Sequence, residues 1–155
     1  MDKVALCQAV IAQLEAELAG LIAAANASKA EATDQDSRQE GKFDMRGQSA
    51  AYLAEGQAKL AAELAPAIAA YRNLKTDPLP SGSVAVLGAI VTLEAQKRKT
   101  VYFIGPARGG IDIELAGTTV TVITASSPLG RQLIGKRAGD AVTAGARPTV
   151  IVGIL

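Results

Sequence analysis

The sequence predicts an α+β protein, with an N-terminal antiparallel α-helical coiled-coil hairpin followed by a small antiparallel-sheet domain. Three observations predict it. The apolar residues recur at alternating spacings of three and four up to about residue 74 and then change to short β-branched runs. A Pro/Gly-rich stretch, Lys75–Ser83 (KTDPLPSGS), separates the two regimes. Charge divides at the same place: residues 1–77 hold eight Lys/Arg against eleven Asp/Glu, and residues 78–155 hold eight against four. The predicted organisation is a hairpin at 1–75 with an acidic tip near 34–46, a linker at 76–83 and a β-rich domain at 84–155.

The first helix rests on Val4, Cys7, Ile11, Leu14, Leu18, Leu21 and Ala25, the a/d seam of a coiled coil, widened by Leu6, Val10 and Ile22. Asp2 is placed to cap it, and its carboxylate suits the positive end of a helix. Beyond Ala23 the large residues disappear, so any partner contact thins there. Gln8, Gln13, Glu15 and Glu17 interrupt the apolar run and argue against a membrane span or a signal-peptide core.

The second helix is predicted to start between Phe43 and Gly47 and to run to about Leu74, with Leu53, Leu60, Leu64, Ala67, Tyr71 and Leu74 on its seam and Gln57 among them. Pro66 removes a hydrogen bond inside this pattern, so a kink or break is expected near Ala62–Pro66. Two helices of about 30 residues make a hairpin roughly 45 Å long at 1.5 Å per residue.

Between them lies Glu31–Arg46, EATDQDSRQEGKFDMR, with carboxylates at Glu31, Asp34, Asp36, Glu40 and Asp44 and only Arg38 and Lys42 against them before Arg46. Such a composition is that of a solvated turn, and acids at the end of an arm can also carry charge to a partner.

In the second half, Val84–Leu93, Thr100–Ile104, Ile111–Leu115, Thr118–Thr124 and Thr149–Leu155 read as strands, with turns at Gly105–Pro106 and Arg108–Gly110 and a tight hairpin at Ala116–Gly117. Gln96-Lys97-Arg98-Lys99 is the densest basic run and reads as a hairpin turn. The Gly109–Gly110 pair opens no predicted helix, which excludes a dinucleotide or P-loop fingerprint. Ser127 is placed to cap a short helix with Pro128 at its first position, Leu129, Leu133 and Ile134 toward the sheet, and Gly135 ending it at positive φ.

Chemistry is bounded by absence. The chain has no His, which removes Ser-His-Asp and Cys-His catalysis and the usual zinc sites. Its one cysteine, Cys7, permits no intrachain disulfide, fits a reducing, cytoplasmic setting, and reads as a small buried apolar residue. Tyr102 and Phe103 are the only aromatics of the second half and point to opposite faces of a strand, too few for an aromatic-lined prolyl isomerase pocket.

The run SPLGRQLIGKRAGDAV, Ser127–Val142, resembles the signature of the Gre family of bacterial transcript cleavage factors. The resemblance covers essentially the whole chain, and it implies a coiled-coil hairpin followed by an FK506-binding-protein-like domain. By resemblance, the chain is a transcription elongation factor that binds bacterial RNA polymerase at its secondary channel and stimulates cleavage of backtracked RNA. It implies no catalysis by the chain itself; tip acids would share a Mg²⁺ with the polymerase, and no cofactor is expected in isolation. Carboxylates suit Mg²⁺, and a metal-bound water is a better nucleophile.

The candidate tip acids are Asp44, Glu40 and Asp36, and the candidate docking residues are Ser127, Pro128, Arg131, Lys136 and Arg137. At the tip the chain departs from the family. Anchored on Tyr52, the two acid positions of the family fall on Met45 and Gln48, with Ser49 in place of Asn and Ala51 in place of Glu. Two alternatives therefore stand beside cleavage: a regulator or inhibitor that occupies the channel without stimulating cleavage, and a protein-interaction module unrelated to transcription. On the first two readings a cytoplasmic monomer is expected that meets no membrane and meets DNA or RNA only within the polymerase complex.

Overall fold

The computed structural model describes residues 1–33, 45–145 and 147–155. The fold is α+β: helices α1 (Lys3–Thr33) and α2 (Met45–Arg72), then strands β1 (Ile90–Ala95), β2 (Arg98–Gly105), β3 (Ile111–Leu115) and β4 (Thr118–Thr124), helix α3 (Pro128–Leu133), and strands β5 (Ala141–Ala144) and β6 (Arg147–Ile154). The chain forms two compact units, one of Met1–Ile11 with Ala69–Leu155 and one of Ala12–Ile68.

In the first unit, α1 begins at the expected cap: the Asp2 carboxylate accepts from the backbone N–H groups of Val4 at 2.8 Å and Ala5 at 3.2 Å. Its buried stripe is Leu6, Cys7 and Val10, joined by Lys3. Val4, expected on the seam, is exposed instead. A lysine stem can bury its methylenes while its ammonium finds a polar partner, and Lys3 Nζ donates to the Asp77 carbonyl at 3.3 Å. Burial lowers the Lys3 pKa and raises that of the Cys7 thiol, which leaves Cys7 a buried apolar filler.

The six strands form one sheet in the order β3-β4-β2-β1-β6-β5. Its pairings are antiparallel except β2 with β4, which run parallel, so the sheet is mixed where an all-antiparallel one was expected. The crossover follows from β3, which pairs as an edge hairpin with β4 rather than with β2. Residues 84–89, expected to open the first strand, form a turn-rich approach, and β5 was not anticipated because Gly139-Asp140 reads as turn and AVTA is short.

One face of the sheet carries Val91, Leu93, Ile104, Ile123 and Ile151, covered by Leu133 of α3 and by Ala85 and Ala89. The alternate face places Phe103 against Tyr71, whose ring centroid lies 6.5 Å away. Tyr71 Oη donates to the Ala107 carbonyl at 2.7 Å, and burial raises its pKa to about 12. Gly105 leaves room for that ring: a Cβ there would come within 3.0 Å of Tyr71 Cζ and of Val122 Cγ1.

In the second unit Leu14, Leu64, Ala67 and Ile68 are buried, while Leu53 (55% exposed) and Leu60 (49%), expected on the seam of α2, and Ile22 (47%), expected to widen that of α1, face solvent. The unit is too rich in alanine to cover three more large side chains. The helix α2 continues through Pro66, so of the kink or break expected there the break does not occur. By length and composition Lys3–Ala30 could cross a membrane. Glu15 and Glu17 would then sit at its midpoint, at roughly 2.5–3.5 kcal/mol each if Glu costs what Asp does.

Candidate docking surface

The stretch Thr124–Ile151 builds a fixed platform around α3. Ser127, extended at φ −66° and ψ 158°, accepts from Gly130 N at 3.0 Å with Oγ and donates that hydroxyl to the Thr124 carbonyl at 2.7 Å. Pro128 follows at the first helical position, where its missing N–H costs nothing. Gly130 sits hard against the strand end. A Cβ there would lie closer than 3.0 Å to the Thr124 carbonyl oxygen and carbon and 2.9 Å from Ser127 Oγ. Glycine at this position is therefore a packing requirement of the cap.

After α3 the chain is tied to its neighbours at each step. Gly135, at φ +80°, turns it, and Gly135 N donates to Ala85 O at 2.8 Å while Ala85 N donates to Lys136 O at 2.7 Å. Asp140 closes the next turn by accepting from Arg137 N at 2.8 Å, and Gly139 N and Ile151 N bond across it to Ile151 O and Asp140 O. Gln132 joins α3 to β5: its Oε1 accepts from Thr143 N at 2.9 Å and its Nε2 donates to Thr143 O at 3.1 Å, an amide imitating a strand partner. Sequence reasoning missed Gln132, since a polar residue on a short helix gives no sign of what it faces.

On this frame Pro128, Arg131, Lys136 and Arg137 are exposed and Ser127 half-buried, so all five candidate docking residues lie on one short segment. The Arg131 guanidinium donates to the Ser126 carbonyl, which holds its stem along the cap. Ile134 departs from expectation. Helix periodicity places it in the core with Leu129 and Leu133, yet it is 40% exposed, because α3 ends at Leu133 and the extended backbone of Ile134 (φ −54°, ψ 127°) turns its side chain out of the helical register. Val86 and Leu87 are exposed too and follow directly on Ala85. This stretch thus exposes both aliphatic and cationic side chains, a combination suited to an acidic protein surface with an apolar spot.

The candidate tip acids Asp36, Glu40 and Asp44 lie outside the described residues. Met45 and Gln48 open α2, and the first turn of that helix holds no acid. Among the described residues no group of three or more His, Cys, Asp or Glu could hold a metal ion. Of the Gln96–Lys99 run, Gln96 and Lys97 form the expected hairpin turn, at φ 50° and 64° between β1 and β2, and Arg98 and Lys99 open β2.

No family model matches the chain, and no curated protein matches it. Among solved structures it is similar to the GreA factor homolog 1 (Gfh1) protein of Thermus thermophilus, at 18% identity over 94% of each chain with a TM-score of 0.39. It is similar to a second structure described as the transcription factor Gfh1, at 21% identity over 96% of this chain and 92% of that one, with a TM-score of 0.39. A third, Thermus aquaticus Gfh1, is 22% identical over 92% of this chain and 88% of that one, with a TM-score of 0.37.

Proposed function

We propose that this chain is a Gre-like accessory factor that docks on bacterial RNA polymerase through the α3 platform and places the segment 34–44 in the secondary channel. The observation that carries the reading is Ser127–Val142: a run that resembles the Gre signature is also the segment where a capped, glycine-dependent helix and the turn after it leave Pro128, Arg131, Ile134, Lys136 and Arg137 exposed. Acids of the intervening segment, Asp44, Glu40 and Asp36, would then join the polymerase's own ligands around Mg²⁺, so that the polymerase cleaves backtracked RNA. The factor has no active site of its own and works as a cytoplasmic monomer that meets nucleic acid only within the complex.

A second reading, docking without cleavage, is favoured by one specific observation. The positions that align with the family's acids, Met45 and Gln48, carry no carboxylate and belong to α2. The experiment that tests both is RNA cleavage by stalled, backtracked elongation complexes in Mg²⁺, with wild type, Asp44→Asn and Glu40→Gln, beside a polymerase pull-down. Stimulation lost in either variant assigns the acid. Binding without stimulation assigns the channel-occupying role, and absence of binding removes both.

A further inference from the structure

We propose that a polar cleft at the open end of the sheet binds a phosphate-bearing small anion. The cleft encloses about 320 Å³ and is lined by Arg98, Thr100 and Tyr102 of β2 and by Arg147 and Thr149 of β6, with Gln96 at its rim. The register explains why these side chains meet. Leu93 pairs with Thr100 on one side and Ile151 on the other, and Ala95 pairs with Arg98, so the β2 and β6 residues flank β1 on one face. Strands about 4.8 Å apart and a rise of about 3.3 Å per residue put the Cα atoms of Arg98 and Arg147 roughly 12 Å apart, near enough for two guanidinium groups to close on one anion.

The chemistry of the lining selects the ligand. None of the lining residues is Asp or Glu, and neither arginine has an ion pair among the described residues. Of the carboxylates on that face by register, Asp112 and Glu114 of β3 accept from the hydroxyls of Thr121 and Thr119, and Asp140, opposite Ile151, accepts from Arg137 N. Guanidinium forks match phosphate oxygens two at a time, and the hydroxyls of Thr100 and Tyr102 add uncharged donors. Thr149 contributes position rather than a donor: its hydroxyl already bonds to Arg147 O at 3.0 Å and receives Ala144 N at 3.3 Å, which fixes the backbone that carries Arg147. The half-buried Tyr102 ring offers an apolar wall beside the charges, so an organic phosphate is accommodated as well as an inorganic one.

This site is separate from the α3 platform and does not depend on the function proposed above. The test is amide chemical-shift titration of the full chain with pyrophosphate, with ADP and with adenosine, in wild type, Arg98→Gln, Arg147→Gln and the double variant. Both arginines are exposed, so the variants should keep the wild-type spectrum elsewhere. We expect pyrophosphate and ADP to shift residues 95–102 and 147–149, with affinity falling about tenfold for each arginine removed. Equal affinity for the two identifies the phosphate group as the whole determinant, and tighter ADP binding adds the Tyr102 wall. No localised shift at 10 mM of either anion, the same affinity in the double variant, or binding of adenosine alone would overturn the proposal.

Discussion

Replacing Gly130 with alanine should unfasten α3 and lower the stability of the sheet unit by about 2–4 kcal/mol. The added Cβ has nowhere to go, because the atoms it meets most closely are the backbone carbon and oxygen of Thr124, at the end of a central strand, rather than a flexible side-chain tip. Over-packing of this kind costs about 1–3 kcal/mol. The shift it forces also pulls Gly130 N from Ser127 Oγ, now at 3.0 Å, and losing an N-cap costs about 1 kcal/mol more. For a chain of this size each kcal/mol moves Tm by about 2–4 °C, so the transition should fall by roughly 5–15 °C in scanning calorimetry. Gly135→Ala is the control. That residue also needs positive φ (+80°), but a Cβ there meets nothing within 4 Å, so only the conformational cost of about 1 kcal/mol applies. If Gly130→Ala melts no lower than Gly135→Ala, glycine at 130 is not required by the cap and the geometric argument for the motif fails.

Two further outcomes follow from named contacts. Ala116 holds φ 50° in the β3–β4 hairpin beside Gly117, a conformation that Asn tolerates better than Ala, so Ala116→Asn should raise stability by about 0.5–1 kcal/mol in urea unfolding with an unchanged m-value. Tyr71→Phe strips the Ala107 carbonyl of its donor and should cost about 1–2 kcal/mol at neutral pH; because burial raises the Tyr71 pKa from 10.0 to about 12, folding protects its proton, and the wild type's stability should decline between pH 10 and 12 in a way the variant does not share.

The sequence shows the layout because the signals that mark it are local. Spacing of three and four marks α1 and α2, Asp2 and Ser127 mark the caps of α1 and α3, and Gly135 and Ala116-Gly117 mark turns that the backbone indeed makes at positive φ. What it hides depends on contacts between distant segments. Leu53 and Leu60 keep seam spacing while facing solvent, because spacing states which residues share a face and not whether anything covers it. The parallel β2–β4 pairing, the bond pair between Gln132 and Thr143, and the convergence of Arg98 with Arg147 arise only when residues far apart in the chain meet. Ile134 is the instructive case: helix periodicity buries it, and the helix stops one residue too soon.

Docking through the α3 platform is tested most directly by equilibrium binding of core RNA polymerase to wild type and to the Arg131→Glu/Lys136→Glu/Arg137→Glu variant at matched Tm. Docking through this platform predicts saturable binding by wild type that weakens with added salt and falls at least about tenfold in the variant. Equal binding by the two proteins, or no binding by wild type, would contradict it.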